Sequence, residues 1–466
     1  MKTYFILAAS LLLTACMVGP DYHKPEITPP AAFKESREWK TADPKDHNPR
    51  GHWWEIYGDA DLNALVSQVE ISNQNIRAAA ASYRQAQALL GVAQGSYFPT
   101  VTAGVTGSRG AIGTSGTAVA GSPIRNSVRP TLSASWEPDL WGQIGRNVEA
   151  SEASLQASSA DLGNALLSAQ STLVQTYFQL RVDDAEKHLL EETSLAYEHS
   201  LKITRNQYEA GVVGRVDVAQ TETQLKTTQA QAIDLGVQRA QLEHAIAVLV
   251  GKAPADFQIK PTYAIPSLPQ TPTALPSALL ERRPDIAAAE RHMATTNAQI
   301  GVAQAAFFPS LTLNGSYGYQ NSSFSRLFTA PYSFWSIGPS FAMTLFNGGA
   351  LSSQKKAAVA VYDNSVATYR QTVLAAFQEV EDNLAALHQL SDEAEVQQAA
   401  AKSATEAQTL TENQYLAGTV SYLNVVVTQA TALNAKNTSL NLAGRRLIAN
   451  AGLIKALGGD WQQNVK

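Results

Sequence analysis

The chain has 466 residues, a formal net charge of −5 and a single cysteine, Cys16. Charged residues make up 16 % of it, below the roughly 25 % of an ordinary soluble domain. One cysteine excludes an internal disulfide and a thiolate zinc cluster, and the mild acidity lacks the clustered Lys and Arg that nucleic-acid binding demands.

Lys2 precedes an apolar run from Tyr4 to Leu13, followed by Thr14-Ala15-Cys16. About ten apolar residues are too few for a membrane-spanning helix, which needs about 20. A basic start, an apolar centre and small residues at the end mark residues 1–15 as a secretory signal. Leu13-Thr14-Ala15-Cys16 resembles the bacterial lipobox. That resemblance implies cleavage before Cys16, a diacylglycerol on its sulfur and an acyl chain on the new amino terminus. Several acyl chains anchor stably where one is marginal. Met17 and Val18 follow, with no Asp in the place of the usual inner-membrane retention signal, which favours the outer membrane.

Residues 16–60, with Pro20, Pro25, Pro29 and Pro30, read as a lipid-anchored extended segment. A helical pattern starts at Asp61, with Leu62, Leu65, Val66 and Val69 on one face. It weakens at Asn73-Gln74-Asn75, resumes from Ile76 and stops at Pro99. The period then changes to 2: Val101, Ala103 and Val105 alternate with Thr100, Thr102, Gly104 and Thr106. Gly107, Gly110, Gly113 and Gly116 follow as a loop without the Gly-Lys-Ser/Thr ending of a phosphate loop. Alternation returns with Val128, Pro130, Leu132, Ala134 and Trp136. A β-hairpin is therefore expected over 98–138, its strands about ten residues long, the length that crosses an outer membrane when tilted.

Residues 144–209 hold no Pro. Val148, Leu155, Leu162 and Ala169 recur every seven residues, as do Leu166, Leu173 and Leu180, which makes a coiled-coil seam. Sixty-six residues give a helix of roughly 100 Å. A turn at 210–215 leads to a helix over 216–250, with Leu235, Leu242 and Leu249 at heptad spacing. Residues 252–276 hold six prolines and read as a linker.

The second half repeats the first. Leu90-Gly91-Val92-Ala93-Gln94 returns 210 residues on as Ile300-Gly301-Val302-Ala303-Gln304, and Phe98-Pro99 as Phe308-Pro309. A hairpin is expected over 309–345, a long helix over 350–414, a helix over 423–457 and a tail over 460–466. The turn Ala417-Gly418-Thr419-Val420-Ser421-Tyr422 matches the first at an offset of 207. The repeats are thus 61–251 and 277–459. Within the first, residues 61–96 and 217–250, stretches of 36 and 34, can lie end to end beside a helix of 66. Two hairpins give four strands, too few to close a barrel, and lipid tolerates no unpaired edge. Closure requires oligomerisation to eight, twelve or sixteen strands, and the pattern does not choose among these.

With these residues in place, the chain resembles the outer membrane efflux protein family (TolC-like), in its lipoprotein branch of the NodT type. Gly19-Pro20-Asp21-Tyr22, both Phe-Pro junctions, Asp139-Leu140-Trp141-Gly142, Leu345-Phe346-Asn347-Gly348-Gly349 and both Ala-Gly turns carry the resemblance. It implies a mainly α fold with membrane β: a homotrimer sharing a twelve-stranded barrel, continued by a periplasmic α-helical tunnel. It implies as partners a periplasmic adaptor and an inner-membrane pump, usually of the resistance–nodulation–division class. The adaptor would touch the turns at Gly211, Val212, Val213, Gly214 and at Gly418, Thr419, Val420, Ser421; their other reading is a purely structural helix reversal. Asp217 and Tyr415 match gate positions, while Asp217 at a helix start is equally a cap. The family's basic gate position is Val420 here and its acidic ring positions are Asn424 and Val427, a departure that weakens an ion-paired gate.

Enzyme chemistry finds no footing. The eight histidines are scattered, and no His-Glu-x-x-His or Gly-x-Ser-x-Gly occurs. Glu281 and Asp285, with Arg282 and Arg283 between them, read as a solvated ion-pair face. Trp136, Trp335, Tyr317 and Tyr319 read as girdle aromatics. The expectation is a passive outer-membrane exit duct without cofactor. The rival is a periplasmic coiled-coil lipoprotein without a pore.

Overall fold

In a computed structural model, residues 17–25, 34, 52–111, 124–269 and 283–459 are described. Cys16, the signal 1–15, the hairpin tip 112–123, the linker portion 270–276, Glu281, Arg282 and the tail 460–466 lie outside them. Among these residues seven α-helices and four strands follow in order: α1 Ala60–Ser72, α2 Gln74–Gly95, β1 Thr100–Ala111, β2 Ile124–Trp136, α3 Gln143–Glu209, α4 Arg215–Leu249, α5 Pro284–Ala305, β3 Ser310–Tyr319, β4 Ser333–Ala342, α6 Ala350–Leu416 and α7 Tyr422–Ala456. No helix among the described residues is long and apolar enough to cross a membrane.

Two compact units cut across the sequence repeats. One takes residues 1–26, 82–159 and 288–369; the other takes 27–81, 160–287 and 370–466. Each unit therefore draws on both repeats.

In the first unit the strands form one antiparallel sheet in the order β1-β2-β3-β4. Within each repeat the hairpin is local; between repeats, Thr131 pairs with Gly318 and Trp136 with Leu313. Each helix-to-strand junction is set by proline. At the end of α2 a turn closes through Phe98 N–H to Gly95 O at 3.1 Å, and at the end of α5 Phe308 N–H reaches Ala305 O at 3.0 Å. The next residue, Pro99 or Pro309, has no N–H with which to continue the helix. Trp141 stacks on Phe308 at 4.8 Å and donates from Nε1 to Pro309 O at 2.7 Å. Asp139 starts α3 by accepting from the N–H of Ile144 at 3.0 Å and of Gly145 at 2.6 Å. The N-terminal segment seats beside this start. Arg146, buried, donates to Asp21 at 2.8 Å and to Val18 O and Gly19 O at 3.3 Å, and a Cβ on Gly301 would meet its Cγ at 2.7 Å.

The second unit holds the main apolar core: Trp54, Leu62, Val66, Leu173, Tyr177, Phe178 and Ile246 are buried in one cluster. Four expectations change here. Residues 53–57 are not extended but form a short 3-10 turn, because Trp53, Trp54 and Tyr57 have a core to enter. The proline-rich stretch, expected as a linker, packs onto this core over its described part. Ile259 is buried and Phe257, Ile265 and Leu268 pack against the same core. A third concerns Arg283, expected on a solvated face. It is buried, and donates to Asp285 at 2.5 Å, Glu379 at 2.7 Å and Ala456 O at 3.2 Å. Three partners at the start of α5 satisfy a charge that could not otherwise leave water. The expected single helix over 61–96 is two, because Asn73 breaks it: Oδ1 caps α2 by accepting from Asn75 and Ile76, while Nδ2 donates to Leu249 O at 2.7 Å.

Candidate functional site

The two helix reversals are built alike, bond for bond. At the end of α3, Gly211 N–H donates to Tyr208 O at 2.9 Å and Val212 N–H to Gln207 O at 2.8 Å. At the end of α6, Gly418 N–H donates to Tyr415 O at 2.9 Å and Thr419 N–H to Gln414 O at 3.0 Å. This bond pair is the Schellman motif. It requires a left-handed residue, and φ is 74° at Gly211 and 73° at Gly418, where a Cβ is strained. The chain then turns into the next helix through Gly214 and Ser421, both extended.

Around both glycines space is open: no atom lies within 4 Å of a Cβ built on either. Apolar side chains stand out beside them. Val212 is 71 % exposed and Leu416 65 %, and Val216, Leu423 and Val427 are exposed as well. The eight turn residues of the sequence reading thus lie at two like surfaces.

Asp217 caps. Its Oδ2 accepts the Gly214 N–H at 3.1 Å, in the first turn of α4. Asn424 occupies the corresponding place in α7. Tyr415 ties the two reversals to each other, donating from its hydroxyl to Gln207 Oε1 at 2.9 Å and lying edge-on to Tyr422 at 5.2 Å. Burial pushes the Tyr415 hydroxyl above its ordinary pKa; a Thr204 hydrogen bond opposes this and the Asp217 charge adds to it. Asp217 and Tyr415 are therefore electrostatic neighbours. Gln207 and Tyr422 complete the group. Nothing in periodicity or spacing marks Gln207, because the tie crosses 208 residues of chain.

The sheet supplies the other surface. Register puts Val101, Val105, Leu132, Leu313, Tyr317, Trp335, Ile337 and Phe341 on one face, all of them exposed large apolar side chains. Ser, Thr, Asn and Gly predominate on the opposite face, which also carries Arg125, Arg129 and Phe334; it is bonded across strands by Ser135–Asn314 at 3.1 Å and Ser316–Ser336 at 2.8 Å. Apolar outward and polar inward is the pattern of a membrane barrel wall.

Residues 65–252 and 275–459 match the outer membrane efflux protein family. The chain belongs to that family. Pyoverdine export outer membrane protein OpmQ of Pseudomonas aeruginosa is 30 % identical over 471 residues, covering 100 % of this chain and 98 % of the relative. Toluene efflux pump outer membrane protein TtgC of Pseudomonas putida is 28 % identical over 461 residues, covering 98 % and 95 %. The crystal structure of the Campylobacter jejuni CmeC outer membrane channel superposes with a TM-score of 0.90 at 25 % identity, covering 97 % of this chain and 96 % of that one. The family is one of channel proteins, and this chain is an outer-membrane efflux channel with the TolC-like fold. The pore-free coiled-coil rod is not favoured.

Proposed function

We propose that this efflux channel is the passive exit duct of a tripartite system. Three copies, each giving four strands, close one twelve-stranded barrel in the outer membrane, and the long helices form the periplasmic tunnel. An inner-membrane pump supplies energy and selects cargo; a periplasmic adaptor docks on the turns at Gly211–Gly214 and Gly418–Ser421. The channel itself catalyses nothing. Cys16 carries a diacylglycerol and an N-acyl chain that hold the start of the mature chain at the membrane.

The observation that carries this reading is the pair of reversals: two surfaces of the same backbone construction, each with a left-handed glycine, open space and exposed apolar side chains. A helix reversal alone needs the glycine but not the apolar surround. Export in cells is the test. Gly418→Glu and Gly211→Glu are expected to abolish export while trimers still assemble. Gly418→Ala, equally strained but small, retains most of it. Normal export from Gly418→Glu removes the docking role. Mass measurement on the same protein checks the anchor: a mature chain starting at Cys16 and carrying acyl chains is expected, and an unmodified Cys16 refutes it.

A further inference from the structure

The membrane part of this chain has an unusual charge composition. No Asp, Glu or Lys occurs from Thr100 to Trp136 or from Ser310 to Leu345; the only charged residues there are Arg109, Arg125, Arg129 and Arg326. Register sorts the three that lie on strands. Arg109 pairs with Asn126 on the face that carries Val101, Val105 and Leu132, the apolar one. Arg129 pairs with Thr106 and Arg125 with Gly110, on the face of Thr131, Ser133 and Ser135. The strand residues of the polar face therefore include two arginines and no acid, the nearest carboxylate in sequence being Glu137 just past the end of β2.

Arg129 sits in a constructed seat. Its guanidinium carbon lies 4.2 Å from the centre of the Phe334 ring, the one large aromatic among the described strand residues of the polar face. Phe334 pairs directly with Gly318, and a Cβ on Gly318 would come within 2.9 Å of the Phe334 Cζ. Three strands thus cooperate: Gly318 on β3 leaves room, Phe334 on β4 fills it, and Arg129 on β2 lies over the ring. The ring attracts the cation but offers no oxygen or nitrogen acceptor, so this contact leaves the guanidinium with N–H donors for a ligand. Among the described residues no carboxylate pairs with Arg129 or Arg125, and both are exposed.

We propose that Arg125 and Arg129 make the barrel lumen anion-selective, a filter that favours small anions and carboxylate-bearing molecules over cations. The proposal rests on the reading of this sheet as a pore wall. A passage lined by one sign of charge and walled by low-dielectric material concentrates counter-ions of the opposite sign. A guanidinium with free in-plane donors recognises carboxylates with two parallel hydrogen bonds. Phe334 holds the charge at the wall, so it repels cations without blocking the passage.

Reversal potentials across a KCl gradient, recorded with the full-length channel in a planar lipid bilayer, test this. The native channel is expected to pass chloride in preference to potassium. Arg125→Ala with Arg129→Ala lowers the chloride-to-potassium permeability ratio several-fold, Arg125→Lys with Arg129→Lys keeps it, and Arg109→Ala on the lipid face leaves it unchanged. Should the double alanine variant fail to insert, Arg125→Ala, outside the Phe334 seat, gives the same readout with a smaller drop. A native preference for potassium, or a ratio that the alanine substitutions leave where it was, overturns the filter alone. Absence of any conductance from the native protein overturns the pore reading and the filter with it.

Discussion

Asp217 and Tyr415 stand close together but do different work. The Asp217 carboxylate is engaged with the backbone of its own turn, holding the Gly214 N–H at 3.1 Å. The Tyr415 hydroxyl reaches the other reversal, at Gln207. A residue that caps its own helix sets that helix's start; one that bonds across two hairpins sets whether they stay together. Asp217→Ala is therefore expected to leave the resting conductance of the reconstituted channel unchanged and to lower stability by about 1 kcal/mol, the usual cost of a lost N-terminal capping interaction. Tyr415→Phe keeps the ring against Tyr422 but loses the hydroxyl bond, and the resting conductance should rise. Equal conductance in both variants would deny the tie a gating role. The sequence pointed to Asp217 and Tyr415 only through family resemblance and left Asp217 between gate and cap. The carboxylate position resolves its local role, whereas Gln207 carried no signal, since a neutral amide on a long helix is ordinarily solvated.

Helix α3 shows how an element's pattern can mark a site without explaining it. Its apolar series Val148, Leu155, Leu162, Ala169 continues at seven-residue spacing to Thr176 and Asp183, so the seam ends where Arg181-Val182-Asp183-Asp184 begins. The reason is the stretch after α4. Arg181, buried, donates to Lys260 O at 3.0 Å and to the Tyr177 hydroxyl at 2.7 Å. Asp184 accepts from Arg239 Nε at 2.6 Å and from the Thr262 N–H at 3.2 Å. Arg239 donates onward to Ile259 O at 2.7 Å. Backbone groups of a segment without regular structure are thus satisfied by ionic side chains from two helices, which lets Ile259 stay buried. Proline content alone reads as a linker because it reports what the backbone cannot do, not what it packs against. Asp184 is 1 % exposed at its side chain. Removing one member of a buried ion network leaves the other charges uncompensated, at a cost of about 3–5 kcal/mol. Asp184→Ala should lower the melting temperature markedly and open residues 252–269 to limited proteolysis, while the surface variant Lys226→Ala does neither. Native-like melting of Asp184→Ala would show that the segment is held by apolar packing alone.

At the scale of the molecule, the two repeats do not fold as two bodies. Their hairpins join each other through β2 and β3, and each compact unit takes pieces of both halves. The two long helices and the two hairpins were legible because each follows from a local period. The partner of each strand was not, since alternation shows which side chains share a face and is silent on which neighbour the backbone meets. The same sheet defines what one chain lacks. Among the described residues β1 and β4 each have a single neighbour, so two edges of backbone N–H and C=O groups remain open. In a hydrocarbon layer each unpaired group costs several kcal/mol, so a single copy cannot rest in the membrane with its exposed apolar face. Joining β4 of one copy to β1 of the next repeats the antiparallel order without a seam, and with the three copies proposed above closure gives twelve strands. Protein extracted in mild detergent should therefore have three times the chain mass. Because edge bonds in a closed barrel break only together, unheated samples should run as trimers in dodecyl sulfate and collapse to single chains only on boiling. A species of one chain in mild detergent, with conductance intact, would show that the open edges are satisfied some other way.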